Sequence, residues 1–193
     1  AYVALGSNLD DPRAQVERAV TALGELPGTR LVLQSSLYQS RPFGPVAQPD
    51  FVNAVAGLLT TLEPAELLEC LKSTETRLGR EQPVVRWGPR RIDLDLLVHG
   101  AAQISQPALV VPHPGIAERA FVLVPLAEIA PDLLVPGAGC VRDRGLGGTF
   151  ARGPRRTGRG RGRCRVRGPR KHHRHRATLR CRDTDPRTAA RRA

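Results

Sequence analysis

Residues 92–98 constrain the fold of this chain more than any other segment, because they alternate apolar and acidic side chains. Three apolar residues alternate with Asp93 and Asp95, which is the period of a half-buried β-strand. Alternate residues of a strand share a face, so we expect the Cα atoms of the two aspartates about 6–7 Å apart on one face. The strand therefore separates an apolar core from a polar site.

Like charges on one strand face repel each other, and aspartate is disfavoured in strands, so we expect a partner between Asp93 and Asp95. A hard divalent cation fits this place, because Mg²⁺ takes carboxylate oxygens and completes its shell with water and phosphate. The alternative is a solvated strand face whose aspartates pair with Arg90 and Arg91. The preceding Trp87 and the Gly-Pro turn favour the metal site.

The formal net charge of +12 would suggest a nucleic-acid-binding protein if it were spread over the whole chain. Residues 151–193 hold 16 Arg and 1 Lys against Asp183 and Asp185, a net charge of +15. Residues 1–150 hold the remaining 13 basic and 16 acidic side chains, a net charge of −3. We therefore expect no specific nucleic-acid partner, although the basic tail can bind polyanions nonspecifically.

The apolar periodicity of residues 1–98 predicts the element order β-α-β-β-α-β. The predicted helices are residues 12–26 and 64–78, and the predicted strands are residues 1–5, 31–38, 51–61 and 92–98. This order matches the ferredoxin-like split βαβ pattern, an α+β fold whose antiparallel sheet has its helices packed on one face. The other face is left for loops and a ligand. An extra C-terminal helical segment is predicted at about residues 116–129.

From about residue 141 the apolar periodicity ends, and Arg, Gly, Pro, Thr and His dominate the composition. Such a segment cannot bury enough apolar surface to offset its ordering entropy. We therefore predict a domain at residues 1–140 and a disordered Arg/Gly/Pro-rich tail at residues 141–193. Since Arg, Gly, Pro and Ala have GC-rich codons, the tail also resembles the product of a frameshift.

The four Cys residues show no paired spacing, and no apolar run approaches the length of a membrane span. We therefore expect a cytoplasmic protein with reduced thiols and no membrane partner. We also expect it to act as a monomer. The chain has no Met and opens on strand-like residues, so we expect its natural start to lie upstream.

Residues in the loops suit a polyphosphate and a flat heterocycle. Guanidinium groups hold phosphate oxygens bidentately, so loop arginines beside a metal pair suit a polyphosphate. Aromatic residues at the junction of a loop and a regular element can sandwich a flat ring, and a nearby Asn can bind its edge. The candidates are Arg80, Arg86, Arg90, Arg119 and His113 for phosphates, Phe43, Phe51 and Phe121 for the ring, and Asn53 for its edge.

Five segments together resemble a known enzyme family. They are residues 4–9 (ALGSNL), 44–53 (GPVAQPDFVN), 86–95 (RWGPRRIDLD), 111–114 (VPHP) and 119–121 (RAF). With them, residues 1–137 resemble the 6-hydroxymethyl-7,8-dihydropterin pyrophosphokinases of folate biosynthesis. The resemblance implies a ferredoxin-like fold and transfer of the β,γ-diphosphate of ATP to the pterin hydroxymethyl oxygen, with release of AMP.

The resemblance also implies roles for individual residues. Asp93 and Asp95 would hold two Mg²⁺ ions, and Phe51 and Phe121 would stack on the pterin. Ser40, Phe43 and Asn53 would complete the pterin site, while Glu75, Arg80, Trp87, Arg90, His113 and Arg119 would contact ATP. Arg80 and Arg90 are expected to act in catalysis with the two aspartates. The loop at residues 79–89, which carries Trp87, would close over the site and exclude water.

The chain departs from the family's pattern at three places. Gln82 and Pro83 stand where the family commonly has a basic pair, and Pro114 stands where an aromatic is frequent. The family's closing helical segment is not recognisable after Gly139. The first two departures would weaken contacts with the nucleotide, and the third would leave part of the core less covered.

Two other functions stay open at this point: an inactive or damaged homologue, and a ferredoxin-like nucleic-acid-binding module with a basic tail. The second conflicts with the acidic strand, because Asp93 and Asp95 would repel phosphate and stand where such modules stack bases on aromatics. In the tail, a zinc site could form only from residues whose spacing fits no closed tetrahedral pattern. These residues are His172, His173, His175, Cys164 and Cys181.

Overall fold

The computed structural model describes residues 1–42, 45–80 and 88–143, and the backbone of residues 151–152. These residues belong to one compact unit, Ala1–Arg156, and the second unit, Thr157–Ala193, lies outside the described residues. None of the helices in the described ranges is long and apolar enough to cross a membrane.

The two helices in the first half of the chain begin where the sequence supplies a cap and a proline. Helix α1 spans Pro12–Gly24, and the Asp11 carboxylate accepts a hydrogen bond from the Ala14 amide at 3.1 Å. Helix α2 spans Pro64–Arg77, and the Glu66 carboxylate accepts from the Glu63 amide at 2.9 Å. In both helices the first-turn proline loses no hydrogen bond, because that position has no intrahelical partner for an N–H.

The main sheet is antiparallel, with β1 between β4 and β5. Its strands are β1 Tyr2–Ser7, β2 Thr29–Gln34, β3 Tyr38–Ser40, β4 Phe51–Thr60 and β5 Asp93–Val98. Two small hairpins follow, β6 Ile104–Gln106 with β7 Leu109–Val111 and β8 Leu134–Val135 with β9 Gly139–Cys140. The backbone of β10, Ala151–Arg152, pairs with β3, and both β2 and β3 pair with β4. The prediction of helices combined with an antiparallel sheet is confirmed.

The two faces of the sheet carry different helices. On one face, Leu5 and Leu94 are buried with Leu23 of α1 and Leu67 of α2. On the other face packs helix α3, Ala120–Ile129, through the second apolar cluster of the chain. The expectation that this second face is left for loops and a ligand is therefore wrong for the part that α3 covers. The sequence of α3 is almost entirely apolar, so it needs an apolar surface to cover.

The strand predicted at residues 31–38 is found in β2 up to Gln34, but its continuation is wrong, because residues 35–37 separate β2 from β3. At the break, the Ser35 hydroxyl accepts a hydrogen bond from the Val55 amide at 2.9 Å. The Ser36 amide donates to the Glu128 carboxylate at 2.8 Å instead of to a neighbouring strand. Serine side chains compete with backbone pairing in this way, and periodicity alone does not reveal it.

A turn of 3₁₀-helix at Val141–Asp143 lies just beyond the predicted end of the domain. Val141 is buried, and its amide donates to the Leu133 carbonyl at 3.0 Å. Residues 144–150 and 153–193 lie outside the described residues. The division at residue 140, the frameshift and the candidate zinc ligands therefore stay predictions.

The core between the sheet and α2 gives a direct test of the fold. Leu71 is fully buried, so Leu71→Ala should lower the free energy of unfolding by about 2–5 kcal/mol through lost burial and a residual cavity. The matched control is Leu59→Ala, because Leu59 is 59% exposed and its loss should cost less than about 1 kcal/mol. Chemical denaturation measures both, and equal losses would contradict this placement of the core.

Candidate active site

A cavity of about 300 Å³ opens on the sheet face that α3 only partly covers. Ten of the thirteen site residues predicted from the sequence line it. They are Ser40, Phe51, Asn53, Arg80, Arg90, Asp93, Asp95, His113, Arg119 and Phe121. Glu75 lies behind the lining, and Phe43 and Trp87 fall outside the described residues, as do Arg86, Gln82 and Pro83.

The register of the central strands brings the aspartates of β5 and Asn53 of β4 to the same cavity. Gly6 of β1 lies opposite Asp93 in one pairing and opposite Asn53 in the other. A Cβ atom at position 6 would lie 3.2 Å from the Asn53 Oδ1 atom, so glycine leaves this floor open. Asp93 and the amide of Asn53 therefore face one space across Gly6, which presents no side chain.

Asp93 forms hydrogen bonds with two guanidinium groups. Arg80 donates from Nη1 to the Asp93 Oδ1 atom, and Arg90 donates from Nη1 to Oδ2, each at 2.7 Å. Arg91 instead pairs with Asp10, with its Nε atom 3.2 Å from the Asp10 Oδ2 atom. The alternative in which the aspartates pair with Arg90 and Arg91 is therefore right for Arg90 and wrong for Arg91.

Asp95 is less tightly paired than Asp93. The nearest cationic atoms to its Oδ2 are Arg119 Nη1 at 3.8 Å and His113 Nε2 at 4.0 Å, which exceed hydrogen-bond length. Burial, together with the charge of Asp93, raises the pKa of Asp95 to about 6. A cation that enters the cavity would therefore stabilise the ionised form of Asp95.

His113 presents its outer nitrogen to the cavity. The Gly115 amide donates to His113 Nδ1 at 3.0 Å, so in the neutral ring the proton lies on Nε2, the atom nearest Asp95. Burial and the neighbouring Arg119 lower the pKa of His113. The ring is therefore held as a neutral donor that points at the carboxylates.

Glu75 supports the site from the opposite layer instead of lining it. Its Oε1 atom accepts from the Leu94 amide at 2.6 Å, between the two aspartates, and also contacts the Arg80 guanidinium. Burial raises the pKa of Glu75 to about 7. Helix α2 thereby holds both β5 and Arg80 in place.

The end of the cavity away from the aspartates is formed by aromatic side chains and the side-chain amide of Asn53. Phe51 of β4 and Phe121 of α3 line it, and the guanidinium carbon of Arg119 lies 6.0 Å from the centre of the Phe121 ring. Asn53 is buried, and its Nδ2 atom donates to the Ser40 hydroxyl at 2.9 Å. This end suits a flat heterocycle with polar edges.

Asn8 was missed as a site residue by the sequence reasoning. It is buried, and its Nδ2 atom donates to Gln48 Oε1 at 2.9 Å and to the Pro49 carbonyl at 3.1 Å. Its Oδ1 atom accepts from the Arg90 amide at 2.8 Å. Asn8 thus joins the loop before Phe51 to the loop that carries Arg90, and only contacts between segments distant in sequence reveal this.

No group of three or more His, Cys, Asp and Glu residues suited to hold a metal ion occurs in the part of the chain that the structure describes. The two aspartates are therefore the acidic donors that the described cavity offers. A site with two carboxylates still fits Mg²⁺, which commonly keeps several waters and binds substrate phosphates.

Comparison with known proteins identifies one family. The model of the family described as 7,8-dihydro-6-hydroxymethylpterin-pyrophosphokinase matches residues 2–131. The 2-amino-4-hydroxy-6-hydroxymethyldihydropteridine pyrophosphokinase of Pseudomonas aeruginosa is 53% identical over 135 residues, which cover 70% of this chain and 83% of the relative. The enzyme of that name from Haemophilus influenzae is 47% identical over 138 residues, covering 72% of this chain and 86% of the relative.

A solved structure supports the fold. The wild-type HPPK-DHPS of Plasmodium falciparum with pteroate superposes with a TM-score of 0.59 at 14% identity. The match covers 74% of this chain and 41% of the Plasmodium chain. At this identity the likeness bears on the fold alone.

The buried Glu75 predicts a pH dependence of stability. Its folded-state pKa of about 7 lies above the unfolded value, so the folded state prefers the protonated carboxyl. Stability linked to this group is therefore complete below about pH 4.5 and falls as pH rises to about 7, by about 1–3 kcal/mol. Glu75→Gln cannot ionise and should remove this part of the decline.

Denaturant unfolding of both proteins between pH 4 and pH 8, in magnesium-free buffer, measures the difference. The free energy of unfolding of the wild type relative to Glu75→Gln should fall across this range. The exposed Glu25→Gln serves as the control, because it should leave the wild-type profile unchanged. A constant difference between wild type and Glu75→Gln would contradict the raised pKa.

Proposed function

This chain belongs to the 7,8-dihydro-6-hydroxymethylpterin-pyrophosphokinase family, and we propose that its cavity carries out the family's reaction. The reaction transfers the diphosphate of ATP to the hydroxymethyl group of 6-hydroxymethyl-7,8-dihydropterin and releases AMP. The predicted identity as an ATP-dependent diphosphotransferase of folate biosynthesis is confirmed by the family and by the relatives' names. The alternative of a nucleic-acid-binding module is not favoured.

The observation that carries the proposal is the division of one cavity into two chemically different ends. One end holds two carboxylates among arginines, and the other holds two phenylalanines and a buried amide. A molecule with a polyphosphate and a molecule with a flat heterocycle fit these ends side by side. The strand order β2/β3, β4, β1, β5 supports a ferredoxin-like fold as the frame of this arrangement.

For the pterin, we propose that Phe51 and Phe121 stack on the two faces of the ring. Asn53 binds the ring edge, and its hydrogen bond to Ser40 fixes the orientation of the amide. The predicted contribution of Phe43 lies outside the described residues. A buried amide that meets the polar edge of the ring also discriminates against rings that lack those groups.

For ATP, the side chains around the aspartates provide cationic and donor groups. Arg80 and Arg90 would exchange their bonds to Asp93 for bonds to phosphate oxygens when the nucleotide binds. Arg119 and the Nε2–H group of His113 would bind further phosphate oxygens. Glu75 supports the site through Arg80 and the Leu94 amide, and its predicted contact with ATP stays a prediction.

The aspartates fit the predicted magnesium ions by the chemistry of their oxygens and by their common face. Asp93 and Asp95 would hold two Mg²⁺ ions, which neutralise charge on the phosphates and polarise the β-phosphorus. The shortage of other acidic donors in the described cavity is consistent with ions that take their remaining ligands from ATP and water. The raised pKa of Asp95 also indicates a place where positive charge is favourable.

The chemical step is a displacement at phosphorus. The hydroxymethyl oxygen of the pterin forms a bond to the β-phosphorus of ATP, and the bond from that phosphorus to the bridging oxygen of the α-phosphate breaks. AMP leaves with the bridging oxygen, and the hydroxyl proton passes to solvent. The protein contributes positioning and charge neutralisation, so no covalent intermediate with a side chain is required.

Several expectations about the setting of the reaction stay predictions. Closure of a loop bearing Trp87 falls on residues 81–87, outside the described residues. The cytoplasmic location, the monomeric state and the nonspecific binding of polyanions by the tail also stay predictions. Pro114 is exposed, where the family frequently has an aromatic, and its effect on nucleotide binding stays a prediction as well.

An assay of AMP release from MgATP tests the function directly. AMP should appear only when 6-hydroxymethyl-7,8-dihydropterin is present, in amounts equal to the pterin diphosphate formed. An equal rate without the pterin would indicate simple hydrolysis, and no release at all would indicate an inactive homologue. Omission of magnesium should abolish the signal, because the metal ions would neutralise the phosphates and polarise the β-phosphorus.

Asp95→Ala tests the acidic pair. Loss of this carboxylate should lower kcat at least about a hundredfold, because charge neutralisation at the phosphates is lost. Thermal unfolding should show a folded protein, since Asp95 faces a cavity and not the apolar core. The control is Asp132→Ala, which removes an exposed carboxylate paired with Arg142 and should leave kcat unchanged. Retained turnover in Asp95→Ala would remove the metal hypothesis.

A further inference from the structure

Helix α3 carries a single ionisable side chain, Glu128, in an otherwise apolar sequence. Its carboxylate accepts three hydrogen bonds from the segment that begins β3. The Ser36 amide donates to Oε2 and the Ser36 hydroxyl to Oε1, each at 2.8 Å, and the Tyr38 hydroxyl donates to Oε2 at 2.9 Å. Hydrogen bonds to a charged acceptor are the stronger kind in proteins.

These three bonds join the two walls of the pterin end of the cavity. One wall is α3, which contributes Phe121 from its first turn, about 10 Å along the helix from Glu128. The other wall is formed by β3 and β4. Tyr38 lies directly opposite Asn53 across the β3–β4 pairing, and two residues further along β3 is Ser40, which binds Asn53. Glu128 itself does not line the cavity.

Helix α3 depends on such an anchor because its own hydrogen bonding is interrupted. Pro125 lies inside the helix and has no N–H, so it cannot donate to the carbonyl of Phe121, four residues earlier. The first turn, which carries the aromatic wall, is still closed by the Val122 and Leu123 amides, which donate to the Arg119 carbonyl at 2.9 and 3.0 Å. The position of the whole helix along the sheet then rests on apolar packing, which is not directional, and on the bonds of Glu128 at its last turn.

We propose that Glu128 is a positioning residue that sets the separation of Phe121 from Asn53, and hence the fit of the pterin. The carboxylate fixes the last turn of α3 against the start of β3, and the two walls extend from that junction to the cavity. This inference rests on the proposed function, because it names how the pterin site of that enzyme is shaped. Glu128 would then contribute to specificity for the pterin ring without contacting the ring.

Kinetics with both substrates varied provide the test. Glu128→Ala removes all three acceptor bonds and should raise KM for 6-hydroxymethyl-7,8-dihydropterin about tenfold or more. KM for MgATP should stay within about twofold, because Arg80, Arg90 and the two aspartates stand on other elements and Arg119 is the one proposed phosphate ligand that adjoins α3. Equilibrium binding of the pterin should weaken by the same factor as KM rises.

Conservative variants separate positioning from simple loss of stability. Glu128→Gln should recover most of the pterin affinity, because its amide oxygen can accept from the Ser36 amide and Tyr38 while its NH₂ donates to the Ser36 hydroxyl. Tyr38→Phe removes one of the three bonds, keeps the buried ring, and should give an intermediate KM. It also carries the test if Glu128→Ala does not fold. Glu17→Ala, which removes a carboxylate paired with Arg13 on α1, is the matched control and should change neither KM.

The outcomes distinguish the inference from the function on which it rests. A wild-type protein without pterin-dependent AMP release would contradict the proposed function. An active wild type, together with Glu128 and Tyr38 variants that melt at lower temperature but keep both KM values, would overturn the positioning role alone. An equal rise of both KM values would overturn it too, since the effect would then not be confined to the pterin end.

Discussion

The site depends on the register in which β1 pairs with β4 and β5. That register places Gly6 between Asp93 and Asn53, and the same alternation directs Leu94 into the core under the helices. A slip of β5 by one residue would exchange these faces, burying the carboxylates among apolar side chains. Such burial of unpaired charge costs several kcal/mol per ion, so the apolar core and the acidic site select the same register.

The free site balances its charges internally. Both oxygens of Asp93 are bonded to arginines, while Asp95 stays at a greater distance from its nearest cations. Glu75, on the opposite layer, holds Arg80 and the amide between the aspartates. The arginines are thus kept near the position proposed for the phosphates, so the proposed exchange of partners needs little reorganisation. Preorganisation of this kind is the main contribution a protein can make to phosphoryl transfer.

Features that depend on residues close together in the sequence could be predicted, and features that depend on residues far apart in the sequence could not. The strand with Asp93 and Asp95 was predicted correctly, because alternation over a few residues is a local signal. The break after β2 was not, because it depends on Ser36 meeting Glu128, 92 positions away along the chain. Asn8 was missed for the same reason, since its partners Gln48 and Arg90 lie 40 or more positions away. The chemistry of a charged side chain can be inferred from its residue type, whereas the role of a buried polar side chain depends on the residues with which it forms hydrogen bonds.

Helix α3 shows how a purely apolar pattern can also mislead. Its sequence predicts a buried helix, yet nothing in that pattern says on which face of the sheet it packs. Because α3 packs on the face that carries Asn53, it both closes the second apolar cluster and supplies Phe121 to the cavity. The single carboxylate of the helix, Glu128, then has a structural role, which is to fix α3 on the sheet. Apolar packing alone would allow α3 to slide along the sheet, whereas directional bonds from Ser36 and Tyr38 fix its position along that axis.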